Sequence, residues 1–222
     1  MGYYRATDGS AALSIGVGLN AISPDGKWIL VANRASRKLI VQPVGLGESR
    51  ELPTPGLDSF AHLSWSDDGR YIANSGQTEQ KSWNVYVQPI ASGSPALVQA
   101  GISNSPPAFS PDGGILALHS NRGGIYLYRL NGSQPEALRG GQDSEYPVRF
   151  ANGGKSLLVG DATGEELVLT LVDLADGHRT LWKRINTEVR LRLGIVVTPD
   201  LKYYAYTTPL YSSELYIVDN LR

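Results

Sequence analysis

Ile22-Ser23-Pro24-Asp25-Gly26-Lys27-Trp28 sets a four-residue turn between two apolar runs, and versions of that turn recur along the chain. The copies are Ser23-Pro24-Asp25-Gly26, Ser66-Asp67-Asp68-Gly69, Ser110-Pro111-Asp112-Gly113, Ala151-Asn152-Gly153-Gly154 and Thr198-Pro199-Asp200-Leu201, spaced 43, 44, 41 and 47 residues apart. Each is a hairpin signal: Pro presets φ, Asp bonds the backbone that follows it, and Gly supplies positive φ. The flanking runs are therefore strands, repeated at a period that marks a repeat architecture.

Before each turn lies a short apolar strand A: Leu19 to Ile22, Leu63 to Trp65, Ala108 and Phe109, Val148 to Phe150, and Ile195 to Val197. After it comes strand B, rich in β-branched and aromatic residues: Trp28 to Ala32, Tyr71 to Asn74, Ile115 to Leu118, Ser156 to Val159, and Tyr203 to Tyr206. A polar loop leads to strand C at Leu39 to Val44, Val85 to Ile90, Ile125 to Leu130, Leu167 to Leu174, and Leu215 to Val218. Gly-rich turns precede a shorter strand D at Arg50 to Leu52, Ala96 to Gln99, Glu136 to Arg139, and Thr180 to Lys183. No helical period interrupts the pattern.

Four antiparallel strands per repeat predict an all-β fold, a β-propeller of about five four-stranded blades. A blade cannot bury both faces alone, so residues 1–222 are read as one domain, with repeats near 17–58, 59–103, 104–144, 145–189 and 190–222 plus 1–16. The opening residues, Tyr3 to Ala6 and Ala12 to Ile15, read as a C strand and a D strand, and the latter can close the last blade. Either Tyr3 to Ala6 is then a redundant extra edge, or the chain is cut from a larger ring, and an incomplete ring is expected to form a homo-oligomer or exchange strands through Tyr3 to Ala6.

Composition narrows the function. Twenty basic and 21 acidic residues give a net charge of −1, which lacks the field that gathers nucleic acid or anionic lipid. There is no Cys, so disulfides and thiolate chemistry are excluded. No signal-like or membrane-spanning apolar run is present, so the chain reads as cytoplasmic as written, with an extracytoplasmic place open in a longer parent.

The Ser-Pro-Asp-Gly-Lys turn of Ser23 to Lys27, with Ser66 to Arg70, resembles the WD40-like repeat of TolB-type propellers. Thr7 to Ser10, Ile22 to Trp28, Leu181-Trp182-Lys183 and the ending Ser213 to Leu221 are similar to the C-terminal propeller of bacterial, especially acidobacterial, serine/threonine protein kinases. That resemblance implies a sensory or interaction module preceded by a catalytic or DNA-binding domain, and an Arg222 close to a natural C-terminus.

The chain itself carries no kinase motifs, and Gly-x-Ser-x-Gly is absent. Gly16-Val17-Gly18 joins strands and opens no helix, so it is no dinucleotide site. His62, His119 and His178 fall at different blade positions and do not form a metal triad. Asp58, Glu145 and Glu188 precede A strands near the channel mouth, where solvated loop carboxylates are expected rather than a glycosidase pair. A noncatalytic binding role follows, without cofactor or metal, for a protein, peptide or small polar ligand. The D–A and B–C connections share one face, and Arg34, Arg37, Phe60, His62, Trp83, Asn104, Arg122, Tyr146 and Tyr211 are its candidate contacts. A carbohydrate-binding or glycoside-hydrolysing propeller and a structural assembly module are the alternatives.

Overall fold

The computed structural model describes residues 2–4, 13–16, 19–33, 35–91, 93–101, 105–120, 122–186 and 194–206. Strands β1 (Gly2–Tyr4) and β2 (Leu13–Gly16) form an antiparallel pair. Four four-stranded meanders follow. The first blade holds β3 (Leu19–Ile22), β4 (Trp28–Asn33), β5 (Lys38–Pro43) and β6 (Arg50–Leu52). The second holds β7 (Leu57–Trp65), β8 (Tyr71–Thr78), β9 (Trp83–Pro89) and β10 (Ala96–Ala100). The third holds β11 (Ala108–Phe109), β12 (Ile115–His119), β13 (Ile125–Arg129) and β14 (Glu136–Ala137). The fourth holds β15 (Tyr146–Ala151), β16 (Ser156–Asp161), β17 (Glu166–Asp173) and β18 (Arg179–Asn186). The pair β19 (Ile195–Val197) and β20 (Tyr204–Tyr206) begins a fifth blade. Its expected C strand, Leu215 to Val218, lies outside the described residues.

The A strands β3, β7, β11, β15 and β19 approach one another in succession, which sets them on the inner side of a β-propeller. Apolar layers fill the spaces between blades. Leu30, Leu39 and Leu52 meet Phe60 and Ile72 between the first two blades. Ala73, Val85, Phe109, Leu116 and Leu118 join the second to the third. Ile125, Leu127, Phe150 and Leu157 join the third to the fourth, and Leu158, Leu167, Ile185 and Val197 continue to β19. Neighbouring B-strand residues such as Ile72 and Ala73 thus point into different layers, because side chains alternate across a strand.

Strand β7 is longer than the Leu63 to Trp65 expected for strand A, and it takes in Asp58. The extra length is accommodated by irregular pairing between Leu57 and Ser59 and between Ala61 and Ser64.

The recurring turn is a hydrogen-bonded clamp. Ser23 Oγ donates to Asp25 Oδ1 at 2.6 Å and accepts from Trp28 N at 2.9 Å, while Lys27 N donates to Asp25 Oδ1 at 3.0 Å. The same three bonds recur around Asp68, Asp112 and Asp200. The fourth copy, Asn152 to Gly154, replaces the clamp with a short 3-10 turn.

Hydroxyl donation from Ser23, Ser110 and Thr198 is the main reason the carboxyls of Asp25, Asp112 and Asp200 titrate below the usual aspartate range. At Asp68 burial opposes this, and bonds from Arg70 N, Ser66 and the Arg70 side chain overcome it. A depressed folded-state pKa contributes stability above the ordinary aspartate value and loses it as pH falls through the folded value. Thermal unfolding at pH 7 and pH 3 is expected to show a smaller loss of Tm on acidification in Asp112→Asn than in the wild type.

Gly26 and Gly113 both hold φ near +70°, but a Cβ on Gly26 meets nothing within 4 Å, whereas one on Gly113 falls 2.8 Å from Asp68 Oδ2. Gly26→Ala is expected to cost about 1 kcal/mol for backbone strain alone. Gly113→Ala also presses on a carboxylate held by its own clamp, so it is expected to cost about 2 kcal/mol or more in urea unfolding.

Candidate functional site

The meander order puts the A–B and C–D turns at one end of the propeller and the B–C and D–A loops at the other. At the loop end, His62 occupies the second irregularity of β7 with φ 51°, a left-handed conformation rare for a side-chain-bearing residue. Across from it, Asn74 is fully buried with neither amide atom hydrogen-bonded, and the Ser75 hydroxyl is also buried without a partner. Bulges re-aim side chains, and strained residues beside unsatisfied polar groups are features of binding sites.

The remaining candidates separate. Arg37 is exposed, with Nη1 3.8 Å from Asp58 Oδ1. Trp83 opens β9 half-buried, and its carbonyl accepts Gly101 N at 2.9 Å. Tyr146 lies across Gly160, where a Cβ would meet the ring at 2.8 Å. Its hydroxyl is buried without a partner, and burial, with the Asp161 charge behind it, pushes its pKa up to about 12. Phe60, expected on the loop face, is instead 6% exposed in the layer between the first two blades. Arg34, Asn104 and Tyr211 lie outside the described residues, as does Glu188.

Glu145 corrects another expectation. It is not a solvated loop carboxylate: its side chain is buried and paired with Arg179 of β18, and Gln142 N donates to Oε2 at 2.9 Å. The Glu145 hydrogen bond holds the Arg179 guanidinium above its usual pKa. Arg179 also donates to Gly140 O at 2.6 Å, so this pair fastens the connection between the third and fourth blades.

Arg122 is the candidate around which a pocket forms. A cleft of about 460 Å³ opens between β10 of the second blade and β13 of the third, lined by Gln99, Ser120, Arg122, Tyr126, Tyr128 and Pro135. Alternation along β13 sends Ile125 and Leu127 into the layer against the fourth blade and turns Tyr126 and Tyr128 toward the second. Burial raises the Tyr128 pKa. Strand β10 carries a bulge: Leu97 faces Tyr86 and Gln99 faces Val85, leaving Val98 extra. The bulge sets Gln99 on the cleft side, 8% exposed, with its amide oxygen lacking any partner.

The turn end differs. A cavity of about 470 Å³ lies there between the first two blades, beside Trp28, Trp65 and Arg50. Its carboxylates are engaged: Asp25 and Asp68 in their clamps, and Asp67 with Arg149 Nη2 of β15 at 2.7 Å. Arg50 donates to Ile90 O.

No family model matches the chain. An uncharacterized protein of Agrobacterium fabrum is 30% identical over 133 residues, covering 57% of this chain and 44% of that protein. TolB from Acinetobacter baumannii superposes with a TM-score of 0.67 at 17% identity, covering 89% of this chain and 51% of that one. A TolB structure from Agrobacterium tumefaciens gives a TM-score of 0.58 at 18% identity over 75% of this chain and 61% of that one. An oligogalacturonate lyase from Vibrio parahaemolyticus gives 0.61 at 9% identity, over 83% and 56%. The fold is thus the TolB-like β-propeller, and the chain spans less than two thirds of the length of each of these proteins.

Removing one partner of a buried ion pair strands the other charge, at about 3–5 kcal/mol. Arg179→Met is therefore expected to lower stability by about 3 kcal/mol in urea unfolding, and adding Glu145→Gln to restore part of the loss.

Proposed function

We propose that this chain is a noncatalytic recognition propeller that binds a protein, peptide or small polar ligand on the face built by its B–C and D–A loops. The observation that carries the reading is the exposed Arg122 beside the unpartnered Gln99 amide oxygen on the loop-end cleft, set against turn-end carboxylates that are already engaged. At the turn end, the carboxylates of Asp25, Asp67, Asp68, Asp112 and Asp200 are committed to clamps or to Arg149. At the loop end, Arg122 is exposed, and the amide oxygen of Gln99 on the cleft wall lacks a partner. A polar group that lines an open cleft without a partner is available to a ligand, whereas a carboxylate held in a clamp is not.

The acidic groups support binding over glycoside hydrolysis as well. Asp58 leans toward Arg37 and Glu145 is locked to Arg179, so neither is placed as half of a carboxylate pair across a shared opening. In a longer parent the propeller positions or regulates an attached effector, a kinase being the effector that the sequence resemblance favours. His62, Trp83, Arg37 and Arg122 are the residues we assign to the contact face, with Arg34, Asn104 and Tyr211 as further candidates.

Arrayed peptides and glycans probed with the wild type, Arg122→Glu and Lys27→Glu test the face. Lys27 is exposed at the turn end and serves as the control. Array members bound by the wild type are expected to lose at least tenfold in signal with Arg122→Glu and to keep it with Lys27→Glu. The reverse pattern would overturn the reading.

A further inference from the structure

Resting on that reading, we infer that the cleft between the second and third blades is a site for a small acidic sugar, a hydroxylated ring that carries a carboxylate. Three features converge there, each supplied by a different element.

The first is the amide of Gln99. A strand without a bulge would alternate Val98 and Gln99 to opposite faces, and Val98 already packs into the apolar layer between these two blades. The extra residue in β10 keeps the next side chain on that same side, opposite Val85 and against the cleft. Gln99 is more than nine-tenths buried and one end of its amide is unpaired. A buried amide end without a partner costs free energy in the empty protein, so its retention calls for a ligand group that bonds it. Whichever way the amide is turned, a hydroxyl satisfies it, because a hydroxyl both donates and accepts.

The second is the pair of tyrosines. Tyr126 and Tyr128 sit two residues apart on β13 and line the cleft together, half-buried. Such rings offer flat apolar area with polar tips, suited to the C–H face of a sugar ring and its hydroxyl edge. The third is Arg122. Of the described residues that line the cleft it alone is charged at neutral pH, and its backbone is fixed by the bond from its N–H to Ser120 Oγ at 3.1 Å. A planar guanidinium at the rim pairs with a carboxylate in two-point geometry. A volume of about 460 Å³ lies within the range of small-molecule sites.

The test uses glucuronate, glucose and a blocked tripeptide with a free C-terminal carboxylate, measured by saturation-transfer NMR and calorimetry on the full chain. Wild-type protein is expected to bind glucuronate at least tenfold more tightly than glucose, with transfer strongest to the ring C–H protons. Arg122→Gln should abolish the preference for glucuronate, and Tyr126→Ala should remove most of the transfer. Gln99→Leu should weaken both sugars about tenfold while leaving Tm unchanged or higher, since it removes an unpaired buried group. A lowered Tm in Gln99→Leu would make Gln99 structural and overturn the site.

Failure of the wild type to bind glucuronate, or equal binding by wild type, Arg122→Gln and Gln99→Leu, would also overturn it. Tripeptide binding that depends on Arg122 without glucuronate binding would reject the sugar and leave the recognition face standing. Binding of any probe that is lost only in Lys27→Glu would reject both.

Discussion

The B strands are apolar on both faces, and that constraint governs the molecule. Leu30, Ile72, Leu116 and Leu157 are each fully buried at the centre of a blade, and Ala73 and Leu158 beside two of them point into the next layer along. A sheet that must cover two apolar faces cannot stand alone, so each blade is stable only between neighbours. Burial of large aliphatic side chains, about 1.5–3 kcal/mol each, supplies most of the stabilisation, and the radial arrangement is what makes such burial available to every blade.

Stacking leaves the two ends of the propeller with different chemistry. The turn end is built in four of the five copies from one repeated device, a hydroxyl and a carboxylate that bond each other and close a hairpin. Neighbouring clamps also touch: Arg70 Nη2 donates to Asp112 O at 2.9 Å, and the Asp68 carboxylate packs over Gly113. Where the second copy departs from Pro, the departing residue Asp67 reaches Arg149 two blades away. The loop end carries the irregularities instead: the His62 bulge, and the Gln99 bulge with its unpartnered amide oxygen. Regularity at one end fixes the scaffold, and irregularity at the other is where recognition chemistry has room to differ between blades.

The same division explains which features were legible in the amino-acid order. Ser110-Pro111-Asp112-Gly113 announces a turn because the bonds of its clamp all lie within five residues, and Ile115 to Leu118 announces a buried strand because its composition is local. Phe60 and Glu145 misled because each sits just before a strand that runs farther, or packs deeper, than composition indicates: Phe60 fills an interblade layer, and Glu145 meets a guanidinium 34 residues away. Gln99 left no signal, since one extra residue in a short edge strand changes no composition and shifts only the register.

The linear order of residues settles the strand sequence, the meander and the blade repeat, because hairpins are made by near neighbours and faces by the two-residue alternation. Arg149 opposite Asp67, Arg179 opposite Glu145, and Gln99 beside Tyr126 and Arg122 arise from stacking and from bulges. The first and third join residues of different blades and the second joins the two ends of one blade, and the distance between such residues depends on how whole sheets pack and on a register that a single inserted residue can reverse.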